Sequence, residues 1–153
     1  MTKRSTHSLY IFIDRSNGVY ALIAVEEGDL ADVKRGLNWV VHYRKLGKRS
    51  KRGLLRAFPR RFKGVMGRLA YSRFFRNPEE MHRFLSSLGS CRCTVYCDDA
   101  LCGWLRSKGH QAVPESRTPQ GLRPLMLLAD NLANYCRVML ERGRIENAEE
   151  MTK

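Results

Sequence analysis

The stretch Ser8–Ser16, SLYIFIDRS, limits what this chain can fold into more than any other. Leu9, Tyr10, Ile11, Phe12 and Ile13 form an unbroken apolar run. A run apolar on both sides suits a strand covered on both faces, the central strand of a layered sheet. It ends on Asp14. A carboxylate is tolerated there where the strand opens to water, a metal or a partner cation. The two-residue period places Asp14 on the face of Tyr10 and Phe12, at the carboxyl end, where α/β sheets gather their ligands. Asp14 equally suits the start of a turn that Asn17-Gly18 completes.

Residues 19–25, VYALIAV, read as a second strand, joined to the first by the short Asn17-Gly18 link as an antiparallel hairpin. Glu26, Glu27 and Asp29 then suit a helix start, and Leu30, Val33, Leu37, Val40 and Val41 recur at helical spacing. That spacing predicts a helix over 29–44. Asn77-Pro78 opens another, with Asn77 as N-cap and Gly89 as its stop. Residues 91–97 read as a strand, 100–107 as a short helix and 110–113 as a short strand. This β-helix-β unit predicts a parallel pair. After a polar loop over 114–124, a long helix is predicted over 124–142, with a polar, fraying tail at 143–153. The 153 residues read as a single domain over 1–153.

The segment 44–76 stands apart. It carries thirteen Lys or Arg and no acid, with aromatic and aliphatic residues between them. The formal net charge of the whole chain is +13. Such a balance implies an anionic partner, nucleic acid first and an acidic membrane surface second. Arg44, Lys45, Lys48, Arg49, Lys51, Arg52, Arg56, Arg60, Arg61, Lys63, Arg68 and Arg73 are the candidate phosphate contacts. Gly47, Gly53, Pro59, Gly64 and Gly67 predict that this basic insert is a loop with short helices. The apolar run at the N-terminus is too short for a membrane span and lacks a signal-peptide cleavage site, which predicts a cytoplasmic protein without a membrane role.

Of five cysteines, Cys91, Cys93, Cys97 and Cys102 cluster with C-x-C-x3-C-x4-C spacing. They read as small buried hydrophobes in a reducing compartment, with zinc binding or redox chemistry as the alternatives. The acids are scarce. Asp14 ends one strand, Asp98 and Asp99 end another, Glu115 lies in the 114–124 loop, and Asp130 sits on the last long helix among small residues. Should the strands ending at Asp14 and Asp98 be parallel neighbours, these carboxylates would meet at one mouth of the sheet. Mg²⁺ or Mn²⁺ takes such oxygens, and paired ions support in-line phosphodiester cleavage. Asp130 also has Arg123 and Arg137 within reach along its helix.

IFIDRSNGVYALIAV resembles the opening of the domain-of-unknown-function family 3800, and PESRTPQGLRPLMLLADNLANYCRVM resembles that family's ending. The resemblance implies a ribonuclease-H-like fold, a mixed α/β sheet with an N-terminal hairpin and flanking helices. It implies a site built from acids of the first strand, a later strand and the last helix. Residue by residue it carries over Asp14 and Asp130, then Asp98 with Asp99 as its rival, then Glu115. Arg15 stands where the family usually has Glu, and Arg61 where a mid-chain acid precedes the lysine here numbered Lys63. The expected function is a divalent-metal-dependent nuclease or related phosphoryl-transfer protein, with Asp14, Asp98, Asp99 and Asp130 as metal ligands. The alternatives are a basic nucleic-acid-binding protein without a complete site, and a ribosome-associated or assembly protein.

Overall fold

The computed structural model describes residues 8–89 and 92–153. β1 (Ser8–Ser16) and β2 (Val19–Glu26) form the expected antiparallel hairpin, in register from Leu9 opposite Glu26 to Ser16 opposite Val19. Asn17 and Gly18 close it with φ angles of 42° and 81°, the two-residue turn whose twist matches that of the strands.

The following stretch departs from the sequence expectation. In place of a helix over 29–44 there is only α1 (Leu30–Arg35). It stops at Gly36, where a Cβ would lie 2.6 Å from the Val65 side chain. Beyond it, β-branched Val41 has its backbone satisfied by a side chain instead of a helix. Its N–H donates to Asn131 Oδ1 at 3.3 Å, and Asn131 Nδ2 donates to its carbonyl at 2.6 Å.

The basic insert is not a loop with short helices. It contains one 19-residue helix, α2 (Lys48–Met66). An interior Pro costs about 3 kcal/mol and each Gly about 1 kcal/mol in helix propensity. Against these stand five side chains, Leu54, Leu55, Phe58, Phe62 and Val65, buried along one face. At about 1.5–3 kcal/mol each, their burial outweighs the breakers. The insert ends in an unforeseen strand, β3 (Tyr71–Phe75), paired antiparallel to β2 from Ala24 opposite Tyr71 to Tyr20 opposite Phe75.

The rest follows the predicted order. α3 (Pro78–Ser87) is capped by Asn77, whose side chain accepts from the Glu80 N–H at 2.9 Å. β4 (Arg92–Cys97), α4 (Asp99–Ser107) and β5 (Ala112–Pro114) make the parallel unit, and α5 (Arg123–Glu141) is the long last helix. The sheet order is β3-β2-β1-β4-β5, with β4 parallel to β1 and β5 parallel to β4. β1 is therefore central, and Ile11, Phe12 and Ile13 are fully buried. Leu9, Ile11 and Ile13 pack on the side of α3 and α4, and Phe12 on the side of α5.

The tail at 143–153 does not fray. Gly143, at φ 71°, ends α5 with the Arg144 N–H on the Met139 carbonyl at 2.8 Å and its own N–H on the Leu140 carbonyl at 3.0 Å. This left-handed stop turns the chain into α6 (Ile145–Glu149), and Ala148 and Met151 are fully buried. Lys153 then exchanges backbone hydrogen bonds with Ser72, at 2.7 and 3.2 Å, on the outer edge of β3. An open strand edge is thereby covered.

Cys93 and Cys97 share a face of β4 with Val95, and Cys97 and Cys102, the latter on α4, are buried in the core on the α3/α4 side. Burial, with Cys102 adding, pushes the Cys97 thiol up, so it stays a thiol and packs as a hydrophobe. Cys91 lies outside the described residues. Among the described residues no helix is long and apolar enough to cross a membrane.

Candidate active-site cleft

The carboxyl end of β1 opens into a cleft of about 770 Å³. Asp14, Arg15 and Ser16 enter it from β1, Asp98 from the end of β4, and Glu115 from the turn after β5. Asp130, Asn134 and Arg137 enter from α5, and His42, Tyr43, Arg44 and Lys51 from the strap before α2 and its first turn. Positions 130, 134 and 137 lie one turn apart, so they present one face of α5 to the sheet mouth.

Asp14 and Asp130 meet here. Burial above all, then the charge of Asp130 and that of Glu115, pushes the Asp14 carboxyl up to about 7, against the Arg15 N–H that donates to it at 2.8 Å. Asp130 is held by hydrogen bonds. Its Oδ2 accepts from the Tyr43 N–H at 3.0 Å and from Asn131 Nδ2 at 3.1 Å, and its Oδ1 accepts from Asn134 Nδ2 at 3.3 Å. Neither acid has a cation: among the described residues no Lys, Arg or His forms an ion pair with Asp14 or Asp130. The alternative, a pairing of Asp130 with Arg137 or Arg123, is not seen among the described residues. Arg137 instead donates from Nε to Ser16 Oγ at 2.6 Å and pairs with Glu141 at 3.1 Å.

Asp98 lines the same cleft, but both of its oxygens are engaged elsewhere. One of its oxygens caps α4, accepting from the Leu101 N–H at 2.9 Å, and the other pairs with Arg15 Nε at 3.2 Å. Its place just before a helix explains this, because an Asp there accepts the orphan N–H groups of the first turn. Asp99 lies in that first turn, exposed, and does not line the cleft. Glu115 is exposed on the cleft rim. Among the described residues no three His, Cys, Asp or Glu side chains are grouped closely enough to hold a metal ion by themselves.

The cations of the insert divide in three. Lys63 pairs with Glu150 at 3.5 Å and Arg68 with Asp32 at 2.9 Å. Arg73 lies over the Phe84 ring and donates to the Lys153 carbonyl at 3.1 Å, at the far edge of the sheet. Arg44 and Lys51 line the cleft, with Lys51 over the Tyr43 ring. Lys45 is exposed in the turn before α2, and Lys48, Arg49, Arg52, Arg56, Arg60 and Arg61 are exposed along it.

Sequence reasoning passed over Ser16, His42, Tyr43 and Asn134 as site residues. Ser16 is two residues past Asp14, hence on its face, and Asn134 is one turn past Asp130. Those spacings were signals in the chain itself. His42 and Tyr43 carried none; His42 Nδ1 is buried at the cleft without a hydrogen-bond partner. Comparison with protein-family models, with curated proteins and with solved structures found no match.

Proposed function

We propose that the chain has a ribonuclease-H-like fold and acts on nucleic acid as a divalent-metal-dependent nuclease or related phosphoryl-transfer protein. One observation carries this reading. In a chain with 28 Lys and Arg against 15 acids, two neighbouring half-buried carboxylates, Asp14 and Asp130, form no ion pair with a cation among the described residues. Such a pair repels itself and is stabilised by an ion from outside the chain.

The donor set is all oxygen, which suits Mg²⁺ or Mn²⁺ more than a soft metal. Asp14 and Asp130 would hold the ion, with Glu115 reaching in from the rim and water and substrate phosphate completing the shell. A bound divalent ion would offset charge on the phosphoryl group in transfer. The residues fit one such ion. Asp98, committed to Arg15 and to the α4 cap, leaves a second without a ligand. Around this centre Arg44 and Lys51 are poised to hold backbone phosphate, and the Ser16–Asn134–Arg137 network fixes the wall beside Asp130. The diversion of Asp98 favours the second reading, a nucleic-acid-binding protein that performs no chemistry.

Calorimetric titration with Mg²⁺ or Mn²⁺, with and without a short oligonucleotide, tests the proposal on the wild type and on Asp14→Asn with Asp130→Asn. Metal binding in the wild type that disappears in the double variant is the expected result, together with metal-dependent cleavage of an oligonucleotide. A wild type indifferent to metal even with oligonucleotide present would end the nuclease reading and leave the binding one.

A further inference from the structure

A second concavity lies beside the cleft. It is a groove of about 330 Å³ between α2 and the corner where α5 turns into α6, and its lining includes Arg52, Arg56, Tyr135, Arg142 and Arg144. We propose that this groove binds the phosphodiester backbone of a single strand of nucleic acid and leads that strand into the cleft. The proposal rests on the reading of the cleft as a nucleic-acid site and deepens it.

Charge comes first. Four arginines line the groove and no acid does. Arg52 and Arg56 stand on one wall, Arg142 and Arg144 on the other. Elsewhere the cations near an acid use it, as Arg15, Arg35, Lys63, Arg68 and Arg137 all do. The groove arginines are exposed and, among the described residues, have neither an ion pair nor a side-chain hydrogen bond. Four like charges around one concavity repel until an anion enters.

Shape and chemistry narrow the anion. The cations come from two separate elements, α2 and the α5–α6 corner, that line one groove, so a ligand in it is contacted from both sides, which suits one strand and not a duplex. The aromatic residue there offers no stacking platform. Tyr135 is 3% exposed and its ring is stacked on Phe58 at 4.9 Å. Recognition is therefore of phosphates and not of bases, so it is independent of sequence.

Continuity supplies the direction. Lys51 lines the cleft and Arg52 the groove; Asn134 lines the cleft and Tyr135 the groove. Successive helical residues are 1.5 Å and about 100° apart, so groove and cleft are adjoining sectors of the same two helices. A strand leaving one enters the other. Arg142 and Arg144 belong to a corner that exists only because residues 143–153 pack instead of fraying.

The test is fluorescence anisotropy of a labelled oligothymidylate about 16 nucleotides long, a length within single-strand site sizes, with EDTA present so that metal plays no part. Arg142→Gln with Arg144→Gln should lower the slope of log affinity against log salt by about 1.4, two phosphate contacts at about 0.7 each. At low salt it should bind about tenfold more weakly. Arg52→Gln with Arg56→Gln, on the opposite wall, should do the same. Arg76→Gln with Arg83→Gln, which removes equal charge outside the groove, should change the slope by less than half as much. The proposal is overturned by an unchanged slope in both groove variants, by an equal loss in the Arg76/Arg83 control, or by wild-type affinity for a duplex of the same length equal to that for the single strand. Metal titration of the wild type with oligonucleotide present separates the two proposals. Failure of metal binding there sinks the nuclease reading and leaves the anisotropy result, taken in EDTA, standing.

Discussion

On one face of the sheet Leu9, Ile11, Ile13, Leu22 and Ala24 pack with Met81, Leu85, Leu101 and Leu105 of α3 and α4; on the other, Phe12, Ala21, Ile23 and Val25 pack with α5, backed by α2. Both faces are densely buried, and the buried asparagines among the described residues belong to α5. Asn131 and Asn134 are buried there, each with hydrogen-bond partners. The core cluster of the α3/α4 side includes Cys97 and Cys102, whose thiols pack as hydrophobes. A polar group is buried without loss only where a partner waits, and the α5 side has them because the strap around Val41 and Tyr43 lies against that helix. The site is on the polar side for the same reason.

The largest effects test whether the two sides are separable. Phe58→Ala removes a fully buried ring that stacks on Phe62 and Tyr135. It should cost about 4 kcal/mol, lower the melting temperature by about 10 °C, and weaken nucleic-acid binding because α2 loses its anchor. Leu105→Ala, on the buried face of α4 and equally buried, should cost about 3 kcal/mol and leave oligonucleotide affinity unchanged at temperatures where the protein stays folded. Equal loss of binding in both variants would break the division between the faces.

Asn131→Ala comes next. It strips the Val41 backbone of both partners and should cost about 2 kcal/mol in denaturant unfolding, with weakened metal binding because Tyr43 holds Asp130 through the same strap. A loss confined to stability would show that the strap is only a brace.

Asp14→Asn should act in the opposite direction and stabilise the fold by about 1–2 kcal/mol at pH 8. The sign follows from its raised carboxyl. A group with a folded pKa above its unfolded value of 3.8 contributes nothing unfavourable below that pH; the destabilisation grows as pH rises toward about 7 and is complete above it. The gain from Asn should therefore vanish near pH 3.8. A gain that persists there would mean that packing, not charge, separates the two side chains.

The smallest effect belongs to the α3/α4 side. His82 Nδ1 and His110 Nε2 are 2.7 Å apart, a contact that needs one of them unprotonated. Burial first, then His82, lowers the His110 pKa. A base shifted down contributes stability that is fully present above its unfolded value of 6.5 and lost as pH falls through the folded value. Melting temperature should fall slightly between pH 7 and 5, and His82→Gln should flatten that slope. No slope in the wild type would mean that the pair is spread apart in solution.

Much of this was legible in the chain. The double-sided apolar run predicted a central β1, Asn17-Gly18 the hairpin, Asn77-Pro78 the start of α3, and the period of two the direction of Asp14. What was hidden shares a physical cause. Residues 29–44 carry a helical period, yet Val41 is taken up by Asn131, a residue ninety positions away. Gly53, Pro59 and Gly64 oppose a helix locally, and α2 forms because five side chains meet the core. YSRFF looked like aromatic-laced basic surface until β2 offered it an edge. Asp98 looked like a strand-end ligand, and the first turn of α4 claimed it.

The sequence by itself determined the elements whose signals are local: an alternating or unbroken apolar run, a turn dipeptide, a cap, and the excess of positive charge. Only the tertiary structure decided which carboxylates meet, which arginines remain uncommitted and whether residues 143–153 pack. Those outcomes depend on partners far apart along the chain, and burial and pairing energies of several kcal/mol override local propensities of about 1 kcal/mol per residue.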